Sequence, residues 1–257
     1  MGGQMGGQLG RMPGAGRRLP WYVQAAFVVA AAGFALVALP GPMYRFGLID
    51  LGPAFTGMRW GAYAGIGGIA LCLIAGIVAF LRAGRRGLVL AVVGIVLGGI
   101  AFYLPTSMRA QARSVPAIHD ITTDLENPPA FVAIAPLRAE APNPVTYAGE
   151  EVAAQQRNAY PDLQPTILKT DMATAFPKAE AAARSMGWEI VEVAPAEGRI
   201  EATATTGWWG FKDDVVIRLR EAEGGIVLDV RSKSRVGRSD LGANAARIRA
   251  YLAKVAG

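Results

Sequence analysis

Three long apolar stretches dominate the first hundred residues and limit what this chain can become. Trp21 to Leu39, Gly61 to Leu81 and Gly87 to Leu104 contain no charged side chain. At 1.5 Å per residue, each is about long enough as a helix to cross a ~30 Å hydrocarbon core. Pro40-Gly41-Pro42 closes the first stretch. That stretch is longer than a usual signal-peptide core, and no small-x-small site follows it before Pro40, so it reads as a span. Only Arg82-Ala83-Gly84-Arg85-Arg86 separates the second and third, which makes them an antiparallel pair. Gly61/Gly65 and Gly94/Gly98 are small residues one helical turn apart, a spacing that lets backbones approach closely in lipid. Trp21, Tyr22, Trp60, Tyr63 and Tyr103 fall near span ends, as an aromatic belt requires.

Charge follows the same division. The formal net charge is +6, but residues 1–105 carry eight Lys/Arg against Asp50 alone, while 106–257 carry eighteen basic and nineteen acidic groups. The positive excess therefore belongs to the membrane flanks, and the remainder has no nucleic-acid footprint. In the short loops, Arg11, Arg17, Arg18, Arg82, Arg85 and Arg86 lie on one side, and Arg45, Arg59, Arg109 and Arg113 on the other. Six against four puts the amino terminus in the cytoplasm. Three spans then put everything after Pro105 on the extracytoplasmic, periplasmic side of an inner (plasma) membrane. The lone Cys72 sits inside an apolar run, so no intramolecular disulfide can form.

The expected organisation has four parts. Residues 1–18 are a Gly-rich basic tail that reads as disordered. Residues 19–105 hold the three spans. Residues 106–170 form a Pro-rich arm or linker, punctuated by Asn127-Pro128-Pro129 and Pro142-Asn143-Pro144. Its Ile118, Ile121, Leu125, Phe131, Val132 and Ile134 favour an arm lying on the following domain, since a bare tether has no use for them.

Residues 171–257 are regular. Phe176, Ala179, Ala183 and Met186 recur at helical steps, with Thr174 as the cap and Gly187 at the exit. Trp188 to Ala194 is a strand. Arg199 to Thr206, Asp214 to Arg220 and Ile226 to Arg235 alternate cleanly; Ile200, Ala202, Val215, Ile217, Leu228 and Val230 share one face. Leu241, Ala245, Ile248, Leu252 and Val255 form the stripe of a closing helix begun by Ser239 or Asp240. The expected fold is three transmembrane α-helices plus an α+β two-layer domain, an antiparallel four-stranded meander with two helices on one face.

Several phrases carry a resemblance: IHDITTDLENPP at 118–129, YPDLQP at 160–165, RIEAT at 199–203, WWGFKDDVVIR at 208–218 and DVRSKSRVGRSDLGANAARIRAYL at 229–252. Together they resemble domain of unknown function 1499, found in bacteria and chloroplasts, over residues 114–255. The resemblance implies that the arm from near His119 belongs to the domain. The family's name assigns no reaction, so no catalytic residue is carried over.

Four groups of residues are candidates for chemistry. Arg231, Lys233, Arg235 and Arg238 lie within eight residues, directly before a helix start at Ser239-Asp240. Arginines beside free backbone N–H groups suit an anion or lipid headgroup. Alternation puts Arg231, Lys233 and Arg235 on the face away from the helices, where Glu201, Asp229 and Arg218 can also pair with them. Trp208 and Trp209, between Gly207 and Gly210, suit contact with a ligand or the membrane interface, one ring buried and one available. His119, Asp120 and Asp124 are weak metal candidates. Asp213 and Asp214 are neighbours that a strand directs to opposite faces. No Gly-rich phosphate loop, Cys/His metal spacing or nucleophile elbow appears, and no cofactor is expected.

The leading expectation is an integral envelope protein whose extracytoplasmic domain binds an anionic lipid, glycan or protein partner. The alternatives are an enzyme using His119 with Asp120 or Asp213, and an assembly role beside another membrane protein.

Overall fold

The computed structural model describes residues 19–257 apart from Gly84 and Arg86; the expected tail of residues 1–18 lies outside them. The chain divides into two compact units. One comprises the residues through Val37 with Met58–Tyr103; the other comprises Ala38–Gly57 with Leu104–Gly257.

The first unit is built from most of helices α1 (Trp21–Ala38), α3 (Leu51–Ala83) and α4 (Leu88–Ser114); the short α2 (Pro40–Arg45), the first turns of α3 and the end of α4 belong to the second. Three stretches have the length and apolarity to cross a membrane: Trp21–Arg45, Leu51–Arg82 and Leu88–Ser114. The helices meet through glycine. A Cβ on Gly33 would lie 2.8 Å from the Gly65 nitrogen, and one on Gly65 would lie 2.7 Å from the Gly98 oxygen. Backbone therefore touches backbone across all three helices, which only glycine permits at this distance. Val23, Ala26, Ala30, Cys72, Ala75, Ala79 and Ala91 fill the rest of the seam.

Two of these helices run further than expected. α3 begins at Leu51 rather than near Gly61, because Pro53 falls in the first turn, where its missing N–H costs nothing. α4 passes through Pro105 and ends at Ser114.

The second unit carries a six-stranded sheet, not four. The meander is present as β3 (Glu189–Ala194), β4 (Arg199–Thr205), β5 (Lys212–Ala222) and β6 (Gly225–Ser234). Two three-residue strands from the arm, β1 (Asp120–Thr122) and β2 (Thr166–Leu168), lie in tandem along the outer edge of β6. They cover an edge that would otherwise expose unpaired backbone. The arm also contains helix α5 (Glu150–Ala159).

Helices α6 (Met172–Ser185) and α7 (Ala243–Ala256) pack on one face of the sheet, over Ile200, Ala202, Val215, Ile217, Leu228 and Val230. Alternation in β4, β5 and β6 aims these side chains inward, and the helical stripes supply Phe176, Ala179, Ala183, Ile248 and Val255. Tyr251 bridges the two helices, its hydroxyl donating to the Ala179 carbonyl at 3.0 Å. The N-cap of α6 is Asp171, not Thr174; its carboxylate accepts from the Thr174 N–H at 2.8 Å. Gly187 leaves that helix at φ +72°, the left-handed exit expected of it.

Candidate functional site

The face of the sheet away from the helices, which carries Arg231, Lys233 and Arg235, is covered by residues 124–147 of the arm, and Phe131 and Ile134 pack there on Val216. The strands put charged side chains on this face, and the arm meets them with charge and with backbone.

Asp120 enters on β1, opposite Lys233 on β6. Arg231 grips its carboxylate with two bonds, Nε to Oδ1 at 2.9 Å and Nη2 to Oδ2 at 2.8 Å, and Lys233 Nζ adds a third at 2.8 Å. Asp214 on β5 accepts two bonds of 2.8 Å from Arg235 and one of 3.1 Å from Arg138. Thr203 Oγ1 also donates to it at 2.8 Å. Carbonyls of the arm take further donors: Pro129 and Val145 from Arg231, Thr146 from Lys233, Leu137 from Arg235. The Phe131 ring lies 5.0 Å from the Arg231 guanidinium carbon and 5.6 Å from that of Arg138. Burial lowers the affinity of Lys233 and Arg138 for their protons, opposed by Asp120 for the first and Asp214 for the second. Burial, with the Asp120 charge behind it, pushes the Tyr147 hydroxyl up to about 12.

Further along, Arg218 and Arg220 share Asp124 and Asp229. Glu201 is buried, and the backbone N–H groups of Val132, Ala133 and Ile134 wrap its carboxylate at 2.8–3.1 Å. Arg199 pairs with Glu201, Glu192 and Glu197.

The strand register sets Asp120, Asp214 and Lys233 level with one another at the end where β5 and β1 begin and β6 finishes, with Arg138 and Arg235 on Asp214. Glu201 is level with Arg231, and Arg199 with Arg218 and Asp229, so the buried groups of both signs alternate across the strands. Exposed charges divide along the strands. The first end carries Arg45, Arg109, Arg113, Lys212 and Arg238 against Asp50, Glu140 and Glu189; the far end carries Lys169, Arg220 and Lys254 against Asp171, Glu197, Glu221 and Glu223. The basic end also holds segment 38–57, which joins α1 to α3. Arg45 donates to the Gly207 carbonyl in the β4–β5 connection. Gln111, near the end of α4, donates to the Leu241 carbonyl at 3.2 Å.

The five residues of the expected anion site therefore have different surroundings. Arg231 and Lys233 are buried beneath the arm, Arg235 is half-buried on Asp214, and Arg238 is exposed. Ser239 Oγ accepts from the Leu241 N–H at 3.2 Å, and Asp240 accepts from Gly242 and Asn244 at the start of α7. Burial raises the Asp240 carboxyl despite those bonds.

The metal candidates diverge. His119 Nδ1 faces the Arg238 carbonyl at 3.5 Å, Asp120 serves Arg231 and Lys233, and Asp124 accepts from Glu126, Asn127 and Arg218. Among the described residues, no three His, Cys, Asp or Glu side chains gather as a metal site. Asp213 and Asp214 part as a strand requires: Asp213 meets Arg247 of α7 at 2.6 Å, while Asp214 faces the arm. Sequence reasoning missed Arg138, Glu201 as an acceptor of backbone N–H groups, and Asn143, whose amide donates to the Ser234 and Gly237 carbonyls.

The aromatic pair also divides. Trp209 is 8 % exposed and Trp208 55 % exposed. Trp209 stacks on Phe211 with ring centroids 5.3 Å apart and planes 4° from parallel. Both rings reach segment 38–57: Tyr44 lies 5.5 Å from Phe211, and Phe55 lies 5.3 Å from Trp209.

Compared with protein families, residues 120–255, more than half of the chain, match the model of DUF1499, a protein family of unknown function. No curated protein and no solved structure matches the chain.

Proposed function

The chain belongs to the DUF1499 family, and from that membership and its three membrane-length helices we propose an integral inner-membrane protein of the cell envelope. Its C-terminal domain stands on the extracytoplasmic side and binds an anionic partner there. A phospholipid headgroup is the first candidate, before a glycan or an acidic protein.

The observation that carries this reading is the charge polarity of the domain's exposed side chains. Its surplus of cations lies at the end holding segment 38–57, and that segment joins two membrane-length stretches. A basic residue near an anionic leaflet contributes about 1 kcal/mol of attraction. The buried Arg231 and Lys233 act from behind as fixed positive charge, while Arg238 and Lys212 are the side chains free to reach a headgroup. The periplasmic orientation rests on the arginine bias of the short loops.

The test of binding uses the full chain in neutral detergent micelles, with phosphatidylglycerol or phosphatidylcholine added. The anionic lipid should raise the melting temperature by mass action, and the neutral lipid should not. High salt and the double variant Lys212→Gln/Arg238→Gln should both shrink the shift. Equal shifts with the two lipids would overturn the anionic reading. Orientation is tested separately by alkaline phosphatase fused after Gly257, active only after export; an inactive fusion with an active cytoplasmic reporter reverses the topology.

A further inference from the structure

We infer that the β4–β5 connection is an anchor in the bilayer interface, with Trp208 seated at the boundary between headgroups and acyl chains. The partner is the lipid surface itself, and the inference needs the membrane location of the chain but not its anionic partner.

The connection is short: Thr206 to Phe211, closed by Thr206 N–H to the Phe211 carbonyl at 2.9 Å and by Gly210 N–H to the Thr206 carbonyl at 3.0 Å. It does not end free in solvent. A Cβ on Gly41 would run into the Trp208 indole, so that ring lies directly against the backbone of residue 41. Gly41 and Tyr44 belong to the first membrane-length stretch, Trp21–Arg45, and Phe55 to the second, Leu51–Arg82. Tyr44 and Phe55 hold the inner ring, Trp209, at centroid distances of 6.3 and 5.3 Å. Arg45 holds the Gly207 carbonyl between the two tryptophans and β4. The connection is thus fixed to residues from the facing ends of two membrane-length stretches.

That attachment sets the depth of Trp208. A ring packed on the end of a spanning segment lies at the interface, the level where an indole is most favourable because its ring is apolar and its N–H stays wet. Its neighbours in segment 38–57 have the matching character. Phe46 is 75 % exposed and Leu48 is 70 % exposed. Large apolar side chains shown to water at one place mark a surface that something covers. Here the residues stand between two membrane-length stretches, so the covering is lipid. Arg45, adjacent to Phe46 and exposed, supplies the cation that accompanies interfacial aromatics.

The test is depth-dependent fluorescence quenching of the full chain in phosphatidylcholine vesicles. Lipids brominated near the headgroup end of their acyl chains are compared with lipids brominated near the terminal methyl. Subtracting the spectrum of Trp208→Phe from that of the unmodified chain isolates the emission of Trp208, since the other four tryptophans contribute to both. That difference should lose most of its intensity with the shallow bromines and far less with the deep ones. A difference unquenched by either lipid but quenched by aqueous iodide places Trp208 in water and overturns the inference. Resistance to both bromines and iodide means that protein covers the ring, which overturns it equally. Trp208→Tyr, which keeps an interfacial aromatic, repeats the subtraction if the Phe variant does not fold. Neutral lipid is used throughout, so failure here is separable from failure of the anionic reading.

Discussion

Lys233 and Asp120, 113 positions apart in the chain, meet at 2.8 Å between side chains that are each 2 % exposed. Strand pairing sets the two residues opposite each other, and Arg231 completes the group with two bonds to the same carboxylate. The pair shows how the arm is attached: carboxylates and carbonyls of residues 120–146 satisfy cations that β6 turns away from the helices.

Removing one member should therefore leave buried charge without a partner. Asp120→Ala is expected to cost about 3–5 kcal/mol, the range for breaking a buried ion pair from one side. The double change Asp120→Asn/Lys233→Met should cost less than the two single changes added together. Chemical unfolding of the full chain in micelles measures both. A loss below about 1 kcal/mol for Asp120→Ala would mean that the arm is held by its apolar contacts alone.

Arg235 and Arg238, three positions apart, should behave differently. Arg235→Gln removes two charged hydrogen bonds from buried Asp214 and should lower stability by about 1–3 kcal/mol, with Arg138 still in place to limit the damage. Arg238 is exposed, so Arg238→Gln should stay within about 0.5 kcal/mol. Melting temperatures of the two single variants separate them; equal shifts would show that the burial of Asp214 is not what Arg235 serves.

The phase of β6 has its own check. Leu228 is fully buried against the helices, and Leu228→Ala should cost about 2–5 kcal/mol. Ile167 stands on the adjoining strand β2, opposite Val227, and is exposed. Ile167→Ala should change stability by no more than about 0.5 kcal/mol. A reversed order in the two unfolding curves would invert the assigned faces.

His119 should make stability pH-dependent. Burial lowers its proton affinity, with Lys233 acting in the same direction; the Arg238 carbonyl, Asp120 and Asp240 oppose but do not cancel this. The unfolded chain then binds a proton more readily than the folded one, so stability falls as pH falls. The loss should begin as pH drops through about 6.5, the ordinary histidine value, and stop growing below the lowered folded value. His119→Gln should flatten that part of the stability profile. An unchanged slope in the variant would assign the effect to other groups.

Much of the architecture was legible in the residue order. Apolar runs without charge can be stable only in lipid or in a core, and three of them before Pro105 gave the membrane helices. Strict alternation in Arg199–Thr206, Asp214–Arg220 and Ile226–Arg235 marked three strands, observed as Arg199–Thr205, Lys212–Ala222 and Gly225–Ser234, and the face that meets the helices, since a period of two admits no other arrangement. The adjacent Asp213 and Asp214 were separable for the same reason.

What lies on the other face was decided by tertiary structure. Alternating Arg, Lys, Asp and Glu read identically whether they face water or complementary charge, so the sequence had no sign that Glu201, Asp214 and Asp229 would be buried. The covering strands are three residues each, too short to show a period, and they exist only because β6 offers an edge to pair with. Trp208 and Trp209 are chemically the same and adjacent, and only packing against Gly41, Tyr44 and Phe55 left one exposed and buried the other. Local periodicity determines which way a side chain points; what it meets there depends on segments distant in the chain, brought together when the charges and rings they carry can be satisfied at once.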